Sequence, residues 1–400
     1  MSATPASSFG QIFFVFLRLG LTSFGGPVAH LGYFREEFVV RRQWLGERAY
    51  ADLVALCQFL PGPASSQVGM ALGLARGGWG GALAAWAGFT LPSAALLTAL
   101  AMGLSTQSDL MPPGLLRGLK LAAVAVVAHA AWGMARTLCV GPARVALMLA
   151  AAAIVWRWGG VGPQVAVMLA AGCIGWALFG RNAPAAHGPA DAPLPLPLSR
   201  RGGAVLLALF AVLLVLLPLA APAGPGQFWA LVDAFYRAGA LAFGGGHVVL
   251  PLLQAEVVHT GWVTPDAFLA GYGAAQAVPG PLFTFAAFLG ASLQGWPSGA
   301  LGAAVALVSI FVPAFLLVAG ALPFWEPLRR HPAARGALAG VNAAVVGLLL
   351  AALVDPVGRS ALHSPMDVLV ALLAFVALQR TRVPPWVVVL ACALAGLLLV

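Results

Sequence analysis

Residues 16–26, FLRLGLTSFGG, recur as residues 235–245, FYRAGALAFGG, with Phe, Arg, Gly, Phe, Gly and Gly in the same order at an offset of 219. Glu37 matches Glu256 at that offset. Trp44 matches Trp262 at 218, Gln58 with Pro61-Gly62-Pro63 matches Gln276 with Pro279-Gly280-Pro281 at 218, and Trp79 matches Trp296 at 217. A drift of one residue at a time is what small loop deletions leave behind. The chain is a duplication, and its fold must be assembled from two copies of one unit.

The solvent of that fold is largely lipid. Only 8% of the 400 residues are charged and 61% are hydrophobic, against roughly 25% charged in an average soluble chain. Apolar runs long enough to cross a bilayer recur at 81–104, 205–221 and 300–322. Residues 1–10 carry no basic segment and no small-residue cleavage pattern, so insertion is expected to use the first hydrophobic segment itself. The net charge of +9 does not indicate nucleic acid, because the basic residues fall in short clusters between apolar runs. Cys57, Cys139, Cys173 and Cys392 lie inside apolar segments without metal-ligand spacing and read as small hydrophobes. Neither a metal nor a cofactor is expected. HExxH, GxSxG and Walker-type spacings are missing, which argues against an enzyme.

The expected fold is an all-α integral membrane protein of two inverted-topology repeats, joined by an extra spanning helix. The first repeat is 1–180, a Pro- and Ala-rich cytoplasmic linker is 181–203, an apolar segment without a counterpart is 204–222, and the second repeat is 227–400. An unpaired span between halves that each cross an even number of times inverts the second half. Each half reads as two broken-helix hairpins followed by four spans. The hairpins are 8–40 and 48–76, then 227–258 and 264–294. The spans are 79–104, 114–135, 143–158 and 163–180, then 296–322, 336–355, 365–379 and 384–400. With the amino terminus inside, the outer side receives only Arg117, Lys120, Arg157 and Arg359. Every other Lys or Arg except Arg18 and Arg237 falls on the cytoplasmic side, as the positive-inside rule requires.

Pro61-Gly62-Pro63 and Pro279-Gly280-Pro281 each interrupt an apolar stretch. Such a motif stops one helix and starts another. Broken backbone at membrane depth is tolerated only where it is buried in protein or lines a cavity. The new helix would aim free amides and a positive dipole end at that cavity, which suits an anion. Ser65 and Ser66 in the first copy and Thr284 in the second can add hydroxyls, and Gln58 and Gln276 can add amides. A structural kink is the competing reading of one motif; two at matched positions favour a site. Gly25-Gly26 and Gly244-Gly245 repeat the logic through glycine's conformational freedom, with close helix packing as the alternative.

Arg18 and Arg237 are the matched intramembrane arginines, able to fork onto two oxygens of a dianion. Their other reading is snorkelling or a structural ion pair. Asp233 stands one turn before Arg237, where Arg18 has only Phe14. Glu37 and Glu256 are candidates for proton coupling or, alternatively, surface charges. His30 and His247 do not align and read as helix-packing residues.

Together these segments resemble the chromate ion transporter family, in its long two-domain form. The resemblance covers nearly the whole chain. It implies chromate efflux across the bacterial inner membrane, driven by the proton motive force, and halves of opposite orientation. The pattern departs from symmetry where Pro27 faces Gly246 and Ser65-Ser66 face Phe283-Thr284. Sulfate, a tetrahedral dianion of similar size and charge, is the alternative substrate. A membrane scaffold that uses the repeats only for packing is a third reading, disfavoured because a scaffold has no need of cavity-lining backbone. The partners expected are the oxyanion and the lipid bilayer, without nucleic acid; a homodimer is admitted.

Overall fold

The computed structural model describes residues 8–24, 26–106, 112–158, 160–180, 198–221, 227–243, 246–325, 331–381 and 383–398. These residues are helical throughout, without strands. The first half contains α1 (Phe9–Thr22), α2 (Gly26–Arg35, continued as a π-helical turn to Arg41), α3 (Glu47–Phe59) and α4 (Ala64–Thr106). It continues with α5 (Pro113–Leu138), α6 (Pro142–Trp158) and α7 (Val161–Phe179). Then comes α8 (Arg200–Ala220). The second half contains α9 (Phe228–Leu241), α10 (Val249–Val257), α11 (Pro265–Ala277), α12 (Phe285–Ala291) and α13 (Gly299–Ala321). It ends with α14 (Pro332–Ala352), α15 (Pro365–Arg380) and α16 (Pro385–Leu398).

Among the described residues, six helices are long and apolar enough to cross a bilayer: 64–104, 114–138, 161–179, 200–220, 299–324 and 332–361. The chain is a multi-pass membrane protein. At the expected hairpins the chain forms consecutive helices: α1 then α2, α3 then α4, α9 then α10, and α11 then α12. The hairpin arm and first span of the first half form one helical run, α4, broken by non-helical backbone at Gly77 and Gly78. Three of the expected spans are short: α6, α15 and α16 have 17, 16 and 14 residues. Of the linker, 181–197 lie outside the described residues, and α8 already begins at Arg200.

Lipid offers no hydrophobic drive between helices, so close packing through small residues holds them. Here that packing is exchanged between the halves. On α5, a Cβ at Gly114 or Gly118 would strike the α16 backbone at Gly396 or Cys392; on α14, one at Gly336 or Gly340 would strike the α7 backbone at Gly175 or Ala171. Each half's α5-type helix crosses the last helix of the other half. Within each half, α1 packs on α4 and α9 on α13. Their glycines do the work: a Cβ on Gly20 would meet the Gly88 and Phe89 carbonyls, and one on Gly239 would meet that of Ile310.

α8 packs along α9 and α13. Tyr236 on α9 donates to the Phe210 carbonyl of α8 at 3.0 Å. The equivalent face of α1 is uncovered among the described residues, with Phe14 and Leu21 exposed.

Candidate polar site at the helix breaks

Gly62 has φ +116° and Gly280 has φ +98°. Only glycine adopts such backbone without strain. α4 begins at Ala64, directly after Pro63, as expected. After Pro281 the expectation is not met: a 3-10 turn, Leu282–Thr284, intervenes before α12. In the other motifs α2 begins at Gly26, φ +77°, and a 3-10 turn at Gly246–Val248 leads into α10. Gly25, Gly244 and Gly245 lie outside the described residues.

The breaks meet across the halves. The Gly62 amide donates to the Ala242 carbonyl at 2.9 Å, and the Gly280 amide donates to the Ser23 carbonyl at 3.0 Å. Each Pro-Gly-Pro turn thus closes on the residue before the Phe-Gly-Gly motif of the opposite half. Matched positions Pro27 and Gly246 face each other, since a Cβ on Gly246 would lie 3.4 Å from Pro27 Cγ.

A buried polar cluster surrounds the amino end of α4. Ser23, His30, Ser65, Ser66 and Gln67 are each at most 2% exposed. Gln67 Nε2 donates to the Pro61 carbonyl at 2.8 Å. His30 Nε2 lies 3.1 Å from the Ser23 carbonyl, which can only accept, so this nitrogen carries the hydrogen. In the neutral ring Nδ1 then accepts from the Ser65 hydroxyl at 3.4 Å. From α4, the Ser93 hydroxyl donates to the Pro279 carbonyl. Two hydroxyls, Ser23 Oγ and Ser66 Oγ, are buried without a partner among the described residues. Leaving such groups unpaired costs about 1–3 kcal/mol each. The first-turn amides of Ala64, Ser65 and Ser66 have no acceptor inside the helix. Free donors at a helix amino end are suited to an oxyanion.

Several residues singled out from sequence lie elsewhere. Gln58 is exposed, on the far side of α3 from the buried Leu53, Leu56, Cys57 and Leu60. Gln67 takes the place expected of it. Arg18 is exposed beside Phe14 and Leu21, off the stripe of Ile12, Val15, Phe16 and Leu19 that packs inward. Arg237 is held by carboxylates: Nε and Nη2 donate to Glu256 at 2.8 and 3.0 Å, and Nη2 lies 2.9 Å from Asp233. Its guanidinium is the structural partner of those acids rather than a free ligand. Glu37, the mate of Glu256, pairs with Arg42 at 2.7 Å. Thr284 donates to the Pro281 carbonyl of its own turn at 2.7 Å. Gln276 is half-buried on α11, one turn after Tyr272. Ser23, Gln67 and Ser93 are not among the residues the two copies share, and His30 reads from sequence as a packing residue. A sequence cue existed: Ser23 and His30 are polar where the second copy has Ala242 and Val249.

Comparison with known proteins agrees with this architecture. The chain is 31% identical over 415 residues to a chromate transport protein of Pseudomonas aeruginosa, covering 98% of this chain and 92% of that one. It is 29% identical over 402 residues to a probable chromate transport protein of Synechococcus elongatus, covering 98% and 96%. It is also 32% identical over 165 residues to the uncharacterized transporter YwrB of Bacillus subtilis, which covers 40% of this chain and 81% of that one. No solved structure matches the chain. The family model "Chromate transporter" matches twice, over residues 10–176 and 229–397, once for each copy of the duplicated unit, and the chain therefore belongs to the chromate transporter family.

Proposed function

We propose that the chain is a secondary active transporter that carries chromate out of a bacterial cell across the inner membrane, driven by the proton motive force. The observation that carries this reading is the pair of buried, unpartnered hydroxyls, Ser23 and Ser66, at the amino end of α4. A tetrahedral dianion would accept from both and from the first-turn amides, so that Gly62, Pro63, Ser65 and Ser66 form the binding turn. The names carried by the full-length relatives support chromate as the ion.

In this reading the repeats 1–180 and 227–400 are inverted copies. The linker 181–203 is cytoplasmic, and the 204–222 segment, which α8 covers as far as Ala220, is the single unpaired crossing. The exchanged contacts at Gly62, Gly280 and the α5- and α14-type glycines support a twofold relation. The parity of crossings supports an axis in the membrane plane. The cluster is sealed, so the ion enters only when one repeat rocks against the other. Proton coupling runs through Glu37 or Glu256, each of which would release an arginine on protonation.

The test is chromate uptake into everted vesicles with and without the protein, in the presence and absence of excess sulfate. Uptake that depends on the protein and on the proton gradient, and that resists sulfate, is expected. Uptake equal to that of empty vesicles would sink the reading. Full suppression by sulfate would move the substrate to sulfate.

A further inference from the structure

The geometry points to a single oxyanion site per chain, held in the first half, with the matching place in the second half closed by its own turn and by aromatic side chains. It rests on the transport reading only for the identity of the ion.

The backbone differs first. α4 starts directly after Pro63, which leaves the amides of Ala64, Ser65 and Ser66 without acceptors in the helix. At the matched place the 3-10 turn spends one of the three matched amides internally, that of Thr284, which donates to Pro281 at 3.0 Å; the next amide is bonded in both copies, Phe285 to Leu282 and Gln67 to Pro63.

The side chains differ in the same sense. Ser66 has an idle hydroxyl, whereas its mate Thr284 closes on the Pro281 carbonyl at 2.7 Å. Ser65 and Gln67 are replaced by Phe283 and Phe285. Both rings are buried in aromatic contacts: Phe283 lies 5.9 Å from Phe311, and Phe285 lies 5.1 Å from Phe268. Ser23, with its idle hydroxyl, has Ala242 as its mate.

Even the contacts across the halves follow this asymmetry. Ser93 stands beside Gly280, while Ala314 stands beside Gly62, its Cβ 3.5 Å from where a Cβ on Gly62 would be. The duplication therefore kept the break in both copies and the donors in one. The second break supplies the carbonyl contacts and the moving joint, without a ligand.

The experiment is equilibrium binding of chromate, and separately of sulfate, to the purified full-length protein in lipid nanodiscs. One equivalent per chain is expected. Ser66→Ala should weaken binding by about tenfold, the effect of one hydrogen bond to a charged group, and Ser66→Thr should restore it. Thr284→Val should change affinity by less than about twofold, because its hydroxyl never leaves its own turn. Two equivalents per chain, or a loss on Thr284→Val equal to that on Ser66→Ala, overturns the inference, as does failure to bind either dianion. One equivalent of sulfate, sensitive to Ser66→Ala, in a protein that takes up no chromate would overturn the chromate reading and uphold the single site.

Discussion

The amide of Gly280 donates to the carbonyl of Ser23 at 3.0 Å, and its repeat mate Gly62 donates to Ala242, the mate of Ser23, at 2.9 Å. The two bonds are the same contact made twice with the halves exchanged. Each binds a helix break of one half to the end of the first helix of the other. A shift of α1 therefore acts on the second half's break, and a shift of α9 on the first half's. Packed joints of this kind switch between discrete arrangements rather than deforming smoothly.

Glycine at these two joints is required by the backbone. Gly62→Ala and Gly280→Ala are each expected to destabilise the protein by about 1–3 kcal/mol through φ alone. The second should cost more. A Cβ at Gly280 collides with Ser93 Oγ and stands 3.3 Å from the Phe89 carbonyl, whereas one at Gly62 meets Gln67 Nε2 at 3.0 Å. Thermal unfolding in detergent decides the order, and equal midpoints for wild type and Gly280→Ala would contradict it.

The exchanged helix crossings make a paired prediction. A methyl group at Gly118 strikes the Cys392 carbonyl, and one at Gly340 strikes that of Ala171. Neither backbone can yield, so the helices must separate. Gly118→Ala and Gly340→Ala should each cost about 1–3 kcal/mol, the usual toll of overpacking. Gly133, on α5 with Gly118, has nothing within 4 Å of such a methyl. Gly133→Ala should instead stabilise the helix by about 0.5–1 kcal/mol. Unfolding midpoints that fail to separate Gly133→Ala from the other two would refute this account of the packing.

The two halves, the all-helical build and the breaks at Gly62 and Gly280 were legible in the sequence, because glycine and proline punctuate apolar runs. The orientation of Gln58 was legible too: it falls outside the i, i+3, i+4, i+7 stripe of Leu53, Leu56, Cys57 and Leu60. The different fate of Arg18 and Arg237 was legible only in part: Asp233 stands one turn before Arg237 and pairs with it, where Arg18 has Phe14. That α8 packs on α9, while Phe14 and Leu21 on the corresponding face of α1 are exposed, is a tertiary fact without a local signal. The hydroxyl of Ser93 meets a carbonyl 186 residues away, and only the fold brings the two together.

The matched arginines should respond in opposite ways. Glu256→Gln removes the bidentate partner of Arg237 and leaves Asp233 to hold it. The expected cost is about 1–3 kcal/mol, below that of stripping a buried charge of every partner. Arg18 makes no ion pair among the described residues and does not reach the polar cluster. Arg18→Lys keeps its charge, so chromate uptake in everted vesicles should stay within about twofold of wild type. A sharp loss of uptake in correctly inserted Arg18→Lys would return that residue to the transport path.

The last prediction concerns the two carbonyls that the breaks release. In a continuous helix the Pro61 and Pro279 carbonyls would accept from amides one turn on; Gly62 and Gly280, at positive φ, turn them away from that ladder. Both are rescued by side chains of the first half: Gln67 donates to Pro61 at 2.8 Å, and Ser93 donates to Pro279. The second half has Phe285 and Ala314 at the corresponding places, so it cannot satisfy its own break. Gln67→Leu and Ser93→Ala should each leave one buried carbonyl unpaired and cost about 1–3 kcal/mol. The carbonyls belong to different halves, so the double variant should lose the sum of the single effects to within about 0.5 kcal/mol. Ser93→Ala carries the sharper consequence, since a first-half substitution would loosen the second half's turn. Amide hydrogen exchange reads this directly: Ser93→Ala should speed exchange at Gly280 and leave Gly62 at its wild-type rate, and Gln67→Leu should do the reverse. Exchange that rises at both glycines in either variant would mean that the two breaks open only together.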